Sequence, residues 1–126
     1  MYKQDLADPS SSSLANKLSP QLQQVLDERI NVSFSKIVEF CDRPKIVDFS
    51  LFGSVLRDDF RCDSDIDVLY KFAPQHGWSL FDVIDMRQEL EEMLHKKVYF
   101  VDKKALRNPY RRQEILRTYQ VIYSNK

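Results

Sequence analysis

A glycine–serine pair and a pair of aspartates are the residues of this sequence best suited to chemistry. Gly53 and Ser54 follow one apolar segment, and Asp65 and Asp67 open the next apolar segment after a spacer of ten residues. A glycine after a strand lets the backbone approach a phosphate closely, and the amide groups that follow can bind the anion. The serine adds a hydroxyl group within reach. The pattern predicts a phosphate site beside two carboxylates.

The two aspartates have the spacing expected of a cation site. Residues two apart in a strand project from the same face, and two strand steps cover roughly 6.6 Å. Asp65 and Asp67 can therefore share one Mg²⁺, or a pair of Mg²⁺ ions about 3.5–4 Å apart, with a bound triphosphate. The alternative is a solvated acidic loop before a strand, in which case the spacing from Gly53 would be a coincidence.

Helices are predicted in three places: at about 20–41 with a kink near 31–33, at about 80–95, and in a short basic segment that starts at Asn108–Pro109. Ser19 and Pro20 form a typical helix start, with serine as the cap and proline at the first helical position. Ser79 and Asp82 have the spacing of a capping box. These helices must pack on a sheet to bury their apolar sides.

Strands are predicted for segments rich in β-branched and aromatic residues, at 45–52, 66–72 and 96–101, and for the short segment QVIYS near the end. Residues 54–56 are predicted to form a short helical turn between the first two strands. This order of elements indicates an α/β (α+β) fold in which helices flank one small mixed β-sheet.

Length and composition limit the classes of function. The 126 residues suffice for one domain, predicted over 18–126, after a polar, serine-rich segment (1–17) predicted to be a mobile tail. Basic and acidic residues both number 19, so no net charge favours nucleic acid or a membrane surface. No segment resembles a signal peptide or a membrane span, and the two cysteines fit a reducing compartment. We expect a cytoplasmic protein without a membrane partner or direct nucleic-acid binding.

The motif resembles that of the minimal nucleotidyltransferases of the polymerase-β-like superfamily, and more closely that of the MntA-type antitoxins of HEPN/MNT toxin–antitoxin pairs. The pattern of these proteins, GS-x-x-R followed by DSDIDLL, is matched in place by Gly53, Ser54, Arg57 and the segment 63–69. The resemblance extends over roughly residues 20–123. It implies the polymerase-β-like nucleotidyltransferase fold.

The resemblance also implies a reaction and a partner. Such antitoxins use ATP and one or two Mg²⁺ ions to transfer AMP to a tyrosine of a cognate HEPN toxin (HepT-like), which silences the toxin and releases pyrophosphate. Carried over, Gly53 and Ser54 would hold the triphosphate, and Asp65 and Asp67 would bind the metal and form the catalytic pair. Arg57 would support the phosphates or the toxin surface.

Two residues depart from the family pattern. Tyr99, in KVYFV, stands where relatives carry a third carboxylate, and Asp102 lies three residues further on, which places it on the opposite face of a regular strand. Asp58 stands where relatives usually have glycine, a residue type that tolerates positive φ.

These departures leave alternatives open. The chain could be a weakened nucleotidyltransferase that neutralises the toxin by binding alone. Transfer of AMP to a small molecule is a third reading, but it would normally need a further domain. Arg57 could simply pair with Asp58 or Asp59, and the arginines of NPYRRQEILR could form a solvated helix face or, less simply, a partner surface.

Overall fold

A four-stranded sheet organises residues 18–125, which are the part of the chain that our computed structural model describes. The strands are β1 (Ile46–Phe52), β2 (Ile66–Phe72), β3 (Val98–Asp102) and β4 (Gln120–Ser124). Their order across the sheet is β3-β2-β1-β4. β1 runs antiparallel to β2 and β4, whereas β2 and β3 are parallel. The predicted mixed sheet is confirmed; the predicted tail, residues 1–17, lies outside the described residues.

Within residues 18–125, four α-helices accompany the sheet: α1 (Pro20–Gln24), which continues as a π-helical segment (Val25–Ile30), α2 (Phe34–Asp42), α3 (Leu80–Leu94) and α4 (Pro109–Thr118). The predicted caps are present. The Ser19 hydroxyl accepts a hydrogen bond from the Leu22 amide at 3.1 Å, and Ser79 forms a capping box with Asp82. Among residues 18–125, no helix is both long enough and apolar enough to cross a membrane.

The prediction of one kinked helix over 20–41 is wrong, because the chain forms two separate helices there. Asn31 has a φ of +64°, a left-handed conformation that asparagine tolerates better than most residues and that ends the first helix. Ser33 then starts α2 by accepting a hydrogen bond from the Lys36 amide at 3.3 Å. The third strand also begins later than predicted, at Val98, because His95 ends α3 in a left-handed conformation.

The two faces of the sheet have different surroundings. One face carries the main core, in which side chains of β1, β2 and β3 pack against α1, α2, α3 and β4. The other face is covered only in part by α4, through a small cluster of Phe52, Leu69 and Ile115. Because side chains alternate along a strand, β2 contributes Val68 and Tyr70 to the first face and Asp67 and Leu69 to the second. The second face therefore has room for a site at its edge.

Candidate active site

The turn after β1 brings the backbone of Gly53 against the carboxylate of Asp67. β1 ends at Phe52, and residues Gly53–Leu56 form one 3₁₀ turn. Gly53 has a φ of +77°, and a Cβ atom built on it would lie 2.1 Å from Oδ2 of Asp67. No other residue type can adopt this conformation and leave the carboxylate in place. The predicted break at Gly53 is thus a point of close approach.

Asp67 is a half-buried carboxylate with charged neighbours of both signs. It pairs with Phe52 across β1 and β2, two residues after the exposed Asp65. Burial raises the pKa of Asp67, the negative charge of Asp65 raises it further, and the guanidinium groups of Arg111 and Arg57 oppose this rise. Two neighbouring carboxylates, one of them partly removed from water, make a favourable place for a cation.

A cleft of about 600 Å³ opens beside this pair, a volume that falls in the range of small-molecule sites. Its lining comprises Phe52, Gly53, Leu56, Arg57, Asp67, Arg111, Glu114, Ile115, Arg117 and Thr118. Of the predicted site residues, Gly53, Arg57 and Asp67 line the cleft. Ser54 follows Gly53 directly and Asp65 lies two residues before Asp67, but neither is part of the lining. The structure thus brings three of the five predicted residues together around one space.

Arg57 takes part in two arrangements at once. Its exposed side chain donates a hydrogen bond from Nε to Oδ1 of Asp59 at 3.3 Å, so the surface pairing considered from the sequence is present. An exposed pair of this kind contributes little to stability. The same arginine lines the cleft, and its charge acts on Asp67. The surface pairing therefore does not remove Arg57 from the site.

Arg29, which no sequence pattern singles out, holds the turn from outside the cleft. It lies in the π-helical segment, and its Nη1 donates hydrogen bonds to the carbonyl of Val55 at 2.9 Å and to the carbonyl of Arg57. Its guanidinium group also lies over the Phe60 ring, 5.6 Å from the centroid. The side chain thus ties the first helix to the backbone of the residues that follow Gly53.

The position beside Asp67 on the next strand is occupied by Tyr99. The two residues pair in the parallel register of β2 and β3, and the Tyr99 side chain is 48% exposed. Asp102 pairs with Tyr70 on the opposite face of the sheet, where burial, followed by the charge of Asp102, raises the pKa of Tyr70 to about 12. Asp102 therefore does not enter the site. At Asp58, the other departure from the family pattern, the backbone does not need glycine, because its φ is not positive.

Three charged residues of the cleft were missed when α4 was interpreted from its sequence. Arg111, Glu114 and Arg117 line the cleft together with Ile115, whereas the simplest interpretation made the arginines a solvated helix face. The spacing of three and four residues from Arg111 to Glu114 and Ile115 places these side chains on one side of a helix. That signal was present, but the sequence alone does not tell which side of α4 faces the site.

The donors present suit a magnesium ion bound together with a substrate. Carboxylate oxygens are ligands that Mg²⁺ prefers, and Mg²⁺ is commonly held by one or two carboxylates plus substrate phosphates. Within residues 18–125, no group of three or more His, Cys, Asp or Glu side chains is arranged to hold a metal. Asp65 and Asp67 thus fit a metal that is shared with phosphate groups better than one enclosed by protein alone.

Comparison with known proteins identifies the family. The model of the family described as "Polymerase beta, Nucleotidyltransferase" matches residues 35–126, a span that contains the turn at Gly53, both aspartates and α4. The chain belongs to the polymerase beta nucleotidyltransferase family. Its four-stranded mixed sheet with flanking helices is the nucleotidyltransferase fold that the sequence predicted.

Individual proteins that this chain is similar to agree with this result. A candidate protein adenylyltransferase of Methanocaldococcus jannaschii, MJ1379, is 32% identical over 74 residues, which are 59% of this chain and 74% of that protein. A solved candidate minimal nucleotidyltransferase, also 32% identical, superposes with a TM-score of 0.57 over 69% of this chain and 86% of its own. A chain from the complex of a tri-AMPylated Shewanella oneidensis HEPN toxin with an MNT antitoxin superposes with a TM-score of 0.54 at 20% identity, covering 73% and 70%. At this lower identity the likeness establishes a shared fold.

Proposed function

We propose that this chain is a protein adenylyltransferase and an antitoxin. It transfers AMP from ATP to a tyrosine of a cognate HEPN-family toxin in a Mg²⁺-dependent reaction, and pyrophosphate leaves. The observation that carries this proposal is the contact between the Gly53 backbone and the Asp67 carboxylate at the edge of an arginine-lined cleft. This geometry supports the proposal, because the turn proposed to bind phosphate and a candidate metal ligand meet at the same point.

The comparisons support the choice of substrate and partner. The family relative from Methanocaldococcus jannaschii is named as a candidate protein adenylyltransferase. The solved complex that contains a chain of the same fold joins an MNT antitoxin to a HEPN toxin that carries AMP groups. Both descriptions agree with the resemblance found in the motif of this chain.

Each site residue has a distinct role in the proposed reaction. The amides of the turn at Gly53 and Ser54, together with the Ser54 hydroxyl, bind the triphosphate, and Arg57 adds a positive charge to the same side of the cleft. Asp65 and Asp67 hold Mg²⁺. When bound, this ion neutralises the phosphates and stabilises the charge that develops during in-line transfer.

A second candidate function is neutralisation by binding alone. It is favoured by one observation, namely that Tyr99 stands beside Asp67 where relatives carry a third carboxylate, while Asp102 lies on the opposite face. In that case the chain would occlude the toxin in a stoichiometric complex. ATP would not be consumed.

One experiment separates the two functions. The chain is incubated with Mg²⁺, α-labelled ATP and a purified candidate HEPN toxin, and label on the toxin is measured beside residual RNase activity. We expect the double variant Asp65→Asn with Asp67→Asn to lose labelling by about 10²-fold or more, since metal catalysis supplies several kcal/mol. The double variant Asp58→Asn with Asp85→Asn removes the same charge from exposed positions outside the cleft lining and serves as the control.

The outcomes are distinct. Equal labelling by the wild type and the Asp65/Asp67 variant would show that the enzymatic proposal is wrong. Neutralisation of the toxin by a variant that no longer labels it would favour the binding function.

A further inference from the structure

Tyr99 and Arg111 form a pair beside the candidate metal ligands. Tyr99 lies on β3 directly next to Asp67 on β2, and the Arg111 guanidinium group is stacked over the Tyr99 ring, 5.1 Å from its centroid. A phenol ring offers a π face to a cation, whereas a carboxylate at this position would bind a metal or form an ion pair. The Tyr99 ring therefore supports a positive charge beside Asp67.

The first turn of α4 holds the backbone of Arg111 in place. The side-chain oxygen of Asn108 accepts hydrogen bonds from the amides of Tyr110 and Arg111 at 3.0 and 3.1 Å. Ile115, one turn further along α4, is buried against Phe52 and Leu69 of the sheet. The helix is thus anchored at both points, and only the long arginine side chain needs positioning. The Tyr99 ring supplies that support.

Arg111 is one of three guanidinium groups around the same cleft. Arg57 comes from the residues after the turn, and Arg111 and Arg117 come from α4. Two carboxylates, Asp67 and Glu114, also line the cleft, so its lining carries a net positive charge. Guanidinium groups bind phosphate oxygens through two parallel hydrogen bonds, which makes them strong ligands of a polyphosphate.

We infer that Arg111, held over Tyr99, binds the polyphosphate of the nucleotide directly, so that this chain binds ATP even in the absence of a divalent cation. The inference rests on the proposed function, because it takes the cleft to be the nucleotide site. It adds a specific electrostatic arrangement to that function. Asp65 and Asp67 would hold the metal, and Arg111, supported by Tyr99, provides positive charge beside them.

The test measures ATP binding by isothermal titration calorimetry, in EDTA and in Mg²⁺, at low ionic strength. We expect binding by the wild type in both buffers. In EDTA, Arg111→Ala should weaken ATP binding by about tenfold or more, the effect expected from losing a hydrogen-bonded charge. Tyr99→Ala should weaken it by about two- to fivefold, since the arginine remains but loses its support. Tyr99→Phe keeps the ring and should bind like the wild type.

Arg107→Ala is the matched control. This exposed arginine just before α4 is not part of the cleft lining, and its replacement changes the net charge by the same amount. Its ATP affinity should stay within about twofold of the wild type, because exposed charges outside a site contribute little. Melting temperatures of all variants show whether each remains folded.

Every result bears on one proposal or the other. If ATP binds in Mg²⁺ but Arg111→Ala and the wild type bind equally in EDTA, or if neither binds there, the role of Arg111 is disproved and the proposed function stands. The role of Arg111 is also disproved, and the proposed function again stands, if Arg107→Ala loses as much ATP affinity as Arg111→Ala. If the wild type binds no ATP in either buffer, the nucleotide site and this inference both fail.

Discussion

The two faces of the sheet are built from the same strands but serve different purposes. One face packs against three helices and carries most of the buried apolar side chains. In the described part of the chain, the other face has one helix, a three-residue buried cluster and the cleft with its charged lining. In β2, Val68 and Asp67 are neighbours in sequence, yet Val68 is fully buried in the main core and Asp67 lies at the candidate site.

This comparison shows how a small domain can separate stability from chemistry. Because side chains alternate along a strand, a position can change on one face without disturbing the packing on the other. The cleft lined by Asp67, Glu114 and three guanidinium groups lies on the face that α4 leaves partly open. We therefore expect substitutions on the first face to reduce stability and those on the second to reduce binding and transfer.

The largest expected effect is a loss of stability from a substitution on the first face of the sheet, which the main core covers and which we call the closed face; the second face is the open face. Phe49 is 1% exposed and packs edge-to-face against Phe40, with ring centroids 6.3 Å apart. Phe49→Ala should lower the free energy of unfolding by about 3–5 kcal/mol, as for other large-to-small core changes. Tyr99→Ala on the open face should lower it by less than about 1 kcal/mol, because the ring is half exposed. Urea denaturation measures both, and similar losses would contradict the division between faces.

The next largest effect is expected at Gly53, which both forms the turn after β1 and contacts Asp67. Gly53 and Gly77 have nearly the same φ, +77° and +75°, so alanine at either position costs about 1–2 kcal/mol of backbone strain. A Cβ atom would strike the Asp67 carboxylate at Gly53 but would meet nothing within 4 Å at Gly77. Gly53→Ala should therefore also reduce ATP affinity by about tenfold or more.

Gly77→Ala is the control for that prediction. It should share the loss in unfolding free energy and retain ATP binding, both measured on the same protein preparations. If the two variants bind ATP equally well, the contact between Gly53 and Asp67 has no role in the site.

A smaller effect is expected at Arg29, which links the closed face to the site. Its hydrogen bonds to the carbonyls of Val55 and Arg57 fix the turn, and the side chain is only partly buried. Arg29→Ala should cost about 1–1.5 kcal/mol of unfolding free energy and weaken ATP binding severalfold. Arg61→Ala, an exposed change of the same charge, should do neither. A loss of stability without any change in ATP affinity would show that Arg29 does not position the turn.

The strands and caps were predictable because local patterns determine them. The segments rich in β-branched residues predicted the bounds of β1 and β2 to within one residue. Ser19, Ser79 and Asn108 cap the helices as their spacing indicates. The break between α1 and α2 was missed because it depends on Asn31, whose left-handed conformation is only one of several that asparagine adopts.

The site was only partly predictable for a different reason. Gly53 and Asp67 belong to one local motif, and their meeting follows from the antiparallel pairing of β1 with β2. Arg111 reaches the cleft from α4, and Arg29 supports the turn from the π-helical segment. No short-range pattern specifies how these two elements dock. The alignment of Tyr99 with Asp67 likewise depends on the register of two parallel strands.

The smallest expected effect is a gain in stability on replacing Asp67, whereas the other substitutions lower stability or ATP affinity. Burial and the charge of Asp65 raise the pKa of Asp67 in the folded protein above its ordinary value. Ionised Asp67 therefore destabilises the fold, a cost that is absent below the unfolded-state pKa and fully present above the folded-state pKa. Without Mg²⁺ or ATP, Asp67→Asn should melt at a slightly higher temperature than the wild type at about pH 7, and the difference should vanish near about pH 3.

Addition of Mg²⁺ and ATP should reverse that order. A bound cation offsets the repulsion between Asp65 and Asp67, so the ligands should raise the melting temperature of the wild type, whereas Asp67→Asn has lost one of the two carboxylates that hold the ion. Asp58→Asn, an exposed change in the neighbouring loop, should follow the wild type in both conditions. If Asp67→Asn melts below the wild type without ligands, the carboxylate stabilises the empty fold, and the open face is not specialised for binding at the expense of stability.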